Sequence, residues 1–103
     1  MNDCTQVPLD KIFKSLGDPI RMSVIKQLIA YEEEHGHKEI TCGGFDYCVN
    51  KATFSHHIKI LIEAHIICQR TEGVKKYLFL NPNIKKLYPG VIETIKQSCI
   101  ENT

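Results

Sequence analysis

Apolar positions recur along the chain first at helical spacing, then in alternation, then at helical spacing again. Leu9, Ile12, Phe13 and Leu16 stand three and four apart and are closed by Gly17, which predicts a short first helix over residues 8–16 with an apolar stripe that needs cover. Asp18-Pro19 restarts the helix in the preferred order, a capping side chain followed by proline at the first helical position. Met22, Ile25, Leu28 and Ile29 then form one apolar face, to an end near Tyr31 or Glu34. Because Glu32-Glu33-Glu34 opposes the negative end of the helix dipole, fraying is expected there, with a loop through His35-Gly36-His37.

Lys38-Glu39-Ile40 reads as a short strand, and Thr41 as the cap of a third, short helix that carries Phe45, Tyr47 and Val49 toward the core. Gly43-Gly44 weakens its first turn. Asn50 is a fresh cap for a longer helix with Phe54, Ile58, Leu61 and Ile62 on its dry side. Ala52, His56, Lys59 and Glu63 fall roughly opposite Phe54, with Ser55 at the flank. The β-prone runs Ile66 to Thr71 and Val74 to Leu80 flank Glu72-Gly73 and predict a hairpin ended by Asn81-Pro82-Asn83. A last helical stretch, interrupted at Pro89-Gly90, resumes with Val91, Ile92, Ile95 and Cys99 on one side.

The composition fits one globular domain spanning residues 1–103, with 43% apolar and 24% charged residues. No apolar run approaches the ~20 residues needed to cross a bilayer, and the polar start does not read as a signal peptide, so a cytoplasmic protein with no membrane partner is expected. Five dispersed cysteines do not form a disulfide framework, and reduced thiols are the default. The net charge of +1 conceals an asymmetry: −3 over residues 1–49, +3 over residues 50–80 and +1 over the remainder. The positive middle is where phosphate contacts would be sought, although such an excess also suits ordinary solvated surface.

Helix, helix, short helix, tight turn, amphipathic helix and β-hairpin is the order of a winged helix-turn-helix, a mainly α fold with a β-hairpin. A helix enters the major groove of B-DNA only if its outer face is polar and not bulky, and Lys51, Thr53, Ser55, His56 and Lys59 meet that requirement. Arg70, Lys75 and Lys76 flank the hairpin tip, in reach of neighbouring backbone. Periodicity alone suits an ordinary surface helix equally well. The stretch from Phe13 to Arg21, with its Gly-Asp-Pro-x-Arg core, resembles the opening of the arsenic-repressor (ArsR-type) family, and Ser55-His56-His57-Ile58-Lys59 is similar to that family's recognition helix. Glu72-Gly73 through Asn81-Pro82 is similar to its wing. The resemblance covers roughly residues 12–83. It implies a homodimer joined by helices at about 8–16 and 91–100, a recognition helix at about 51–64, a wing at about 66–80, and repression of transcription through double-stranded DNA, relieved by a metal, thiol-reactive or small-molecule signal.

The family's metal residues do not carry over. Metal-sensing members have a Cys-x-Cys pair where this chain has Thr41-Cys42-Gly43, and the last helix offers Glu93, Cys99 and Glu101 but no histidine. His35, His37 and Cys42 remain weak candidates for a metal ion, against solvated loop histidines as the commoner case. Cys42 and Cys48 are weak candidates for a redox sensor, against free cysteine as a small buried hydrophobe, the commoner case. No cofactor is otherwise indicated. Without a phosphate loop, a nucleophile elbow or paired carboxylates in an apolar setting, no enzyme reading stands. The alternative is a winged-helix module that binds another protein with little use for its basic face. Steep salt dependence would mark the DNA binder.

Overall fold

The computed structural model describes residues 8–36 and 39–101, and the side chains of all of these but residues 42 and 99–101. It is mostly helical with one small sheet, the winged helix-turn-helix architecture. Helix α1 (Leu9–Leu16) leads into α2 (Pro19–His35), where the Asp18 carboxylate accepts from Ile20 N at 2.8 Å and Arg21 N at 3.2 Å. These bonds satisfy donors that a helix start leaves orphaned. Its far end runs past the expected fraying point, because Glu32 takes Lys85 at 2.7 Å, Glu33 takes Lys96 at 2.8 Å, and Gly36 closes the helix in the left-handed region at φ 69°. Tertiary cations offset the dipole penalty that the local sequence carries.

Strand β1 (Ile40–Thr41) pairs antiparallel with β3 (Lys75–Leu80), which pairs on its other side with β2 (Ile67–Glu72). Between β1 and α3 (Lys51–Glu63) the expected third helix shrinks to a single 3-10 turn at Cys42–Gly44. Two physical reasons are visible. Gly44 passes so close to β1 that a Cβ there would lie 2.9 Å from Ile40 Cγ2, and the backbone at Asp46 takes its partners from the Gln27 amide instead of from a helix. Gln27 Nε2 donates to Asp46 O and Asp46 N donates to Gln27 Oε1, each at 2.8 Å. Phe45 is buried and Val49 partly so, but Tyr47, expected in the core, is 39% exposed and lies flat on Phe54 at 3.8 Å.

Helix α3 begins at the Asn50 cap, whose side chain accepts from Thr53 N at 2.8 Å, and buries Phe54, Ile58 and Leu61. It ends with His65 in the left-handed region at φ 62°, where His65 N bonds Ile62 O and Ile66 N bonds Leu61 O. The fully buried Asn81 holds the return of the hairpin: its amide donates to His65 O at 2.9 Å and its oxygen caps α4 (Pro82–Leu87) at Asn83 N. Pro89-Gly90 then opens α5 (Pro89–Glu101) instead of interrupting it.

One core joins all of these, from Ile12 and Leu16 through Ile25, Leu28, Leu61 and Leu78 to Ile84, Ile92 and Ile95. Ile12, Ile92 and Ile95, on the two helices expected at a dimer interface, are thus buried within the chain itself. What α1 and the α4–α5 corner leave outside is Leu9, Phe13 and Leu87, respectively 40%, 59% and 51% exposed. They edge an apolar groove of about 730 Å³ with Met22, Val91 and Thr94.

Candidate nucleic-acid interface

Alternation along the hairpin sorts the wing residues into two faces. Ile67, Gln69, Lys76 and Leu78 share the face toward α3, because Gln69 stands opposite Leu78 and Leu78 is buried in the core. Arg70, Glu72, Lys75 and Tyr77 share the reverse face. Lys75 and Lys76, expected to act together, therefore point to opposite sides of the wing. The turn between them and β2 is the two-residue loop Gly73-Val74, with Gly73 at φ 63° as a type II′ hairpin turn requires at its first position.

Between α3 and the wing runs a groove of about 680 Å³. Its walls bring together four of the expected residues, Lys51, Ser55 and Lys59 from α3 and Lys76 from β3, over a floor of Tyr47, Phe54, Ile58 and Ile62. Thr53 and His56 are exposed on α3 beside it. Gln69 and Tyr47 also line it, and neither was among the expected contact residues. Gln69 was legible in principle, since it lies two residues beyond the core position Ile67 on the same strand face. Tyr47 was not, because its place depends on the loop that Gln27 holds.

Electrostatics divides the cations further. Arg70 Nη2 donates to Glu39 at 2.7 Å and Nη1 to Glu72 at 3.0 Å, while the guanidinium lies 4.6 Å from the Tyr77 ring centre. The hydrogen bond from Arg70, with its charge, holds the Glu39 carboxyl below the usual range, and the two carboxylates hold Arg70 more firmly protonated. Arg70 is thus committed within the sheet. Among the described residues, Lys51, Lys59, Lys75 and Lys76 have no carboxylate within ion-pair distance. Glu63 is the one acidic residue along the groove.

Of the remaining candidates, His35 stacks on Tyr31 at 4.4 Å near the end of α2, while His37 and the Cys42 side chain lie outside the described residues. Among the described residues no three His, Cys, Asp or Glu side chains gather as a metal site. Cys48 is an exposed free thiol in the loop before α3, and Cys68 on β2 is partly exposed and in no disulfide. Also among the described residues, no helix is long and apolar enough to cross a membrane.

No protein-family model matches the chain. It is 34% identical over 88 residues, 82% of its length and 83% of the other's, to YceK of Bacillus subtilis (strain 168), described as an uncharacterized HTH-type transcriptional regulator.

Proposed function

Because the chain belongs to the helix-turn-helix transcriptional regulators, we propose that it is a cytoplasmic homodimeric repressor of the arsenic-repressor type, reading double-stranded DNA with α3 and steadying it with the wing. The observation that supports this most directly is the groove between α3 and β3, where Lys51, Lys59 and Lys76 converge without carboxylate partners among the described residues. A phosphate backbone running between helix and wing would meet these ammonium groups, while Ser55, His56 and Thr53 present hydroxyl and imidazole groups toward base edges. Arg70 takes no part in our reading, since its fork is occupied by Glu39 and Glu72.

The partner in the dimer is a second copy seated on Leu9, Phe13 and Leu87. Exposed apolar side chains of this size, edging one continuous groove, are what a twofold interface covers. Two recognition helices then address two half-sites. A signal that shifts one helix relative to the other, whether a metal, a thiol-reactive agent or a small molecule, releases the DNA.

Selection of duplexes from a random pool, followed by footprinting, tests the reading. The expected result is an inverted repeat bound with affinity that falls steeply as salt rises. Recovery of no enriched duplex, or salt-independent binding, would leave the protein-interaction reading in its place. Phe13→Glu should yield a folded monomer by light scattering with much weakened DNA binding, and an unchanged mass would remove the proposed interface.

A further inference from the structure

Arg21 is the second functional feature of the α1–α2 corner, beside the Asp18 cap, and it reaches α3. Its Nε donates to Ser15 O at 2.7 Å near the end of α1, and its Nη1 lies 3.2 Å from His57 Nδ1 on α3. A guanidinium has only donors, so the His57 Nδ1 must carry the lone pair and the ring must be the neutral Nε2–H tautomer. His57 is the inward neighbour of His56, its side chain 13% exposed, and Asp18 Oδ1 lies 3.9 Å from the same nitrogen. One planar fork therefore ties the helix beside the exposed apolar groove to the helix that carries the DNA-reading residues.

We propose that His57 is a positioning residue for DNA binding, holding α3 against the α1–α2 corner through Arg21 while neutral and releasing it when protonated. This rests on the DNA-reading function proposed above. Protonation removes the acceptor and sets a second cation against the guanidinium. Asp18, the one carboxylate that faces the ring among the described residues, is already bonded to Ile20 N and Arg21 N. On the ring's own helix the nearest titratable group is His56, at 6.2 Å between ring centres. Two cations then compete for one carboxylate that α2 needs as its cap, and α3 turns away from the geometry in which both recognition helices of a dimer fit their half-sites.

Two measurements test this. Imidazole nitrogen shifts of the full chain at about pH 7.5 should show His57 as the Nε2–H tautomer, with Arg21→Lys perturbing its Nδ1 resonance; an Nδ1–H tautomer would overturn the strap. Affinity for a duplex enriched from a random pool is then followed by fluorescence anisotropy in a His56→Gln background, which removes the outward imidazole from the titration. Between about pH 7.5 and about pH 5.5 binding should weaken roughly tenfold or more. His57→Asn, whose Oδ1 stands where Nδ1 was, should bind within about threefold of its parent at the higher pH and lose most of the acid weakening, whereas His57→Phe should be weak, by about tenfold, already at the higher pH. Equal acid weakening with asparagine, or unimpaired binding with phenylalanine, would overturn the proposal. If the unsubstituted protein, with His56 in place, binds no duplex, the DNA-reading function itself fails and the inference with it, whatever the tautomer.

Discussion

Lys76 and Arg70 sit one strand apart on the wing, yet they should differ sharply in their weight on DNA binding. Lys76 lines the groove beside α3, whereas Arg70 lies on the reverse face with its fork filled by Glu39 and Glu72. A lysine that meets one phosphate per protomer accounts for two contacts in a dimer, so Lys76→Ala should lower the slope of log affinity against log salt by about 1.8. Over a fourfold rise in salt this corresponds to about a twelvefold smaller loss of affinity for the variant, since each contact carries a slope near 0.9. Arg70→Ala should leave the slope within error, because that charge is already neutralised before DNA arrives. The assay is anisotropy with the enriched duplex and with a scrambled one, from about 50 to about 200 mM salt. A phosphate contact acts alike on both duplexes. A slope change for Arg70→Ala with none for Lys76→Ala would show that the wing presents its other face to DNA, equal changes would show that the Glu39 and Glu72 pairing does not withhold Arg70, and a change confined to the enriched duplex would make Lys76 a base contact instead.

Phe54→Ala should cost roughly 3–5 kcal/mol of stability in urea unfolding, because it empties a core position between Phe45 and Tyr47, while His56→Ala should leave stability unchanged and weaken the enriched duplex by about 1–3 kcal/mol. The reverse pattern would mean that α3 is rotated from this placement. Asn81→Ala removes a fully buried side chain that caps α4 and donates to His65 O, and a loss of about 2–3 kcal/mol in thermal or urea unfolding is expected. Burial raises the Asp18 pKa, but hydrogen bonds from Arg21 N and Ile20 N, with the nearby His57 and Arg21, outweigh it and hold the carboxyl below its ordinary 3.8. A depressed carboxylate contributes stability that is present above its unfolded value and is lost as pH falls through the folded one. Stability measured from about pH 5 down to about pH 2 should therefore fall less steeply in Asp18→Asn, which keeps a cap acceptor that does not titrate; an equal fall in both proteins would place the acid sensitivity elsewhere.

The elements that the sequence made legible are those whose causes are local. Asp18-Pro19 and Asn50 are caps that act within three residues, Glu72-Gly73 turns a hairpin by its own backbone, and Phe54, Ile58 and Leu61 define the dry side of α3 by spacing alone. Where the causes lie far away in the chain, the local reading went astray. Thr41 to Val49 has a cap and an apolar pattern, but Gln27, nineteen residues before Asp46, supplies the hydrogen bonds that a helix would have supplied. The three glutamates that argued for fraying of α2 are met by Lys85 and Lys96 from α4 and α5.

The same distinction governs the candidate site. A segment charge of +3 counts Arg70 equally with Lys76, but a cation that the fold has already paired with carboxylates has that much less net charge to offer a phosphate. Glu39, thirty-one residues before Arg70, lies outside that segment and across β3 in the sheet, so no sum over neighbouring residues reveals the pairing. Strand alternation then separates Lys75 from Lys76 although they are adjacent in sequence. What directs α3 and Lys76 to one side is therefore the register of the sheet, Leu78 against Gln69 and Lys76 against Thr71. A one-residue slip of β3 would bring Lys75 into the groove and carry Leu78 out of the core, so burial of that leucine fixes which lysine lines the groove.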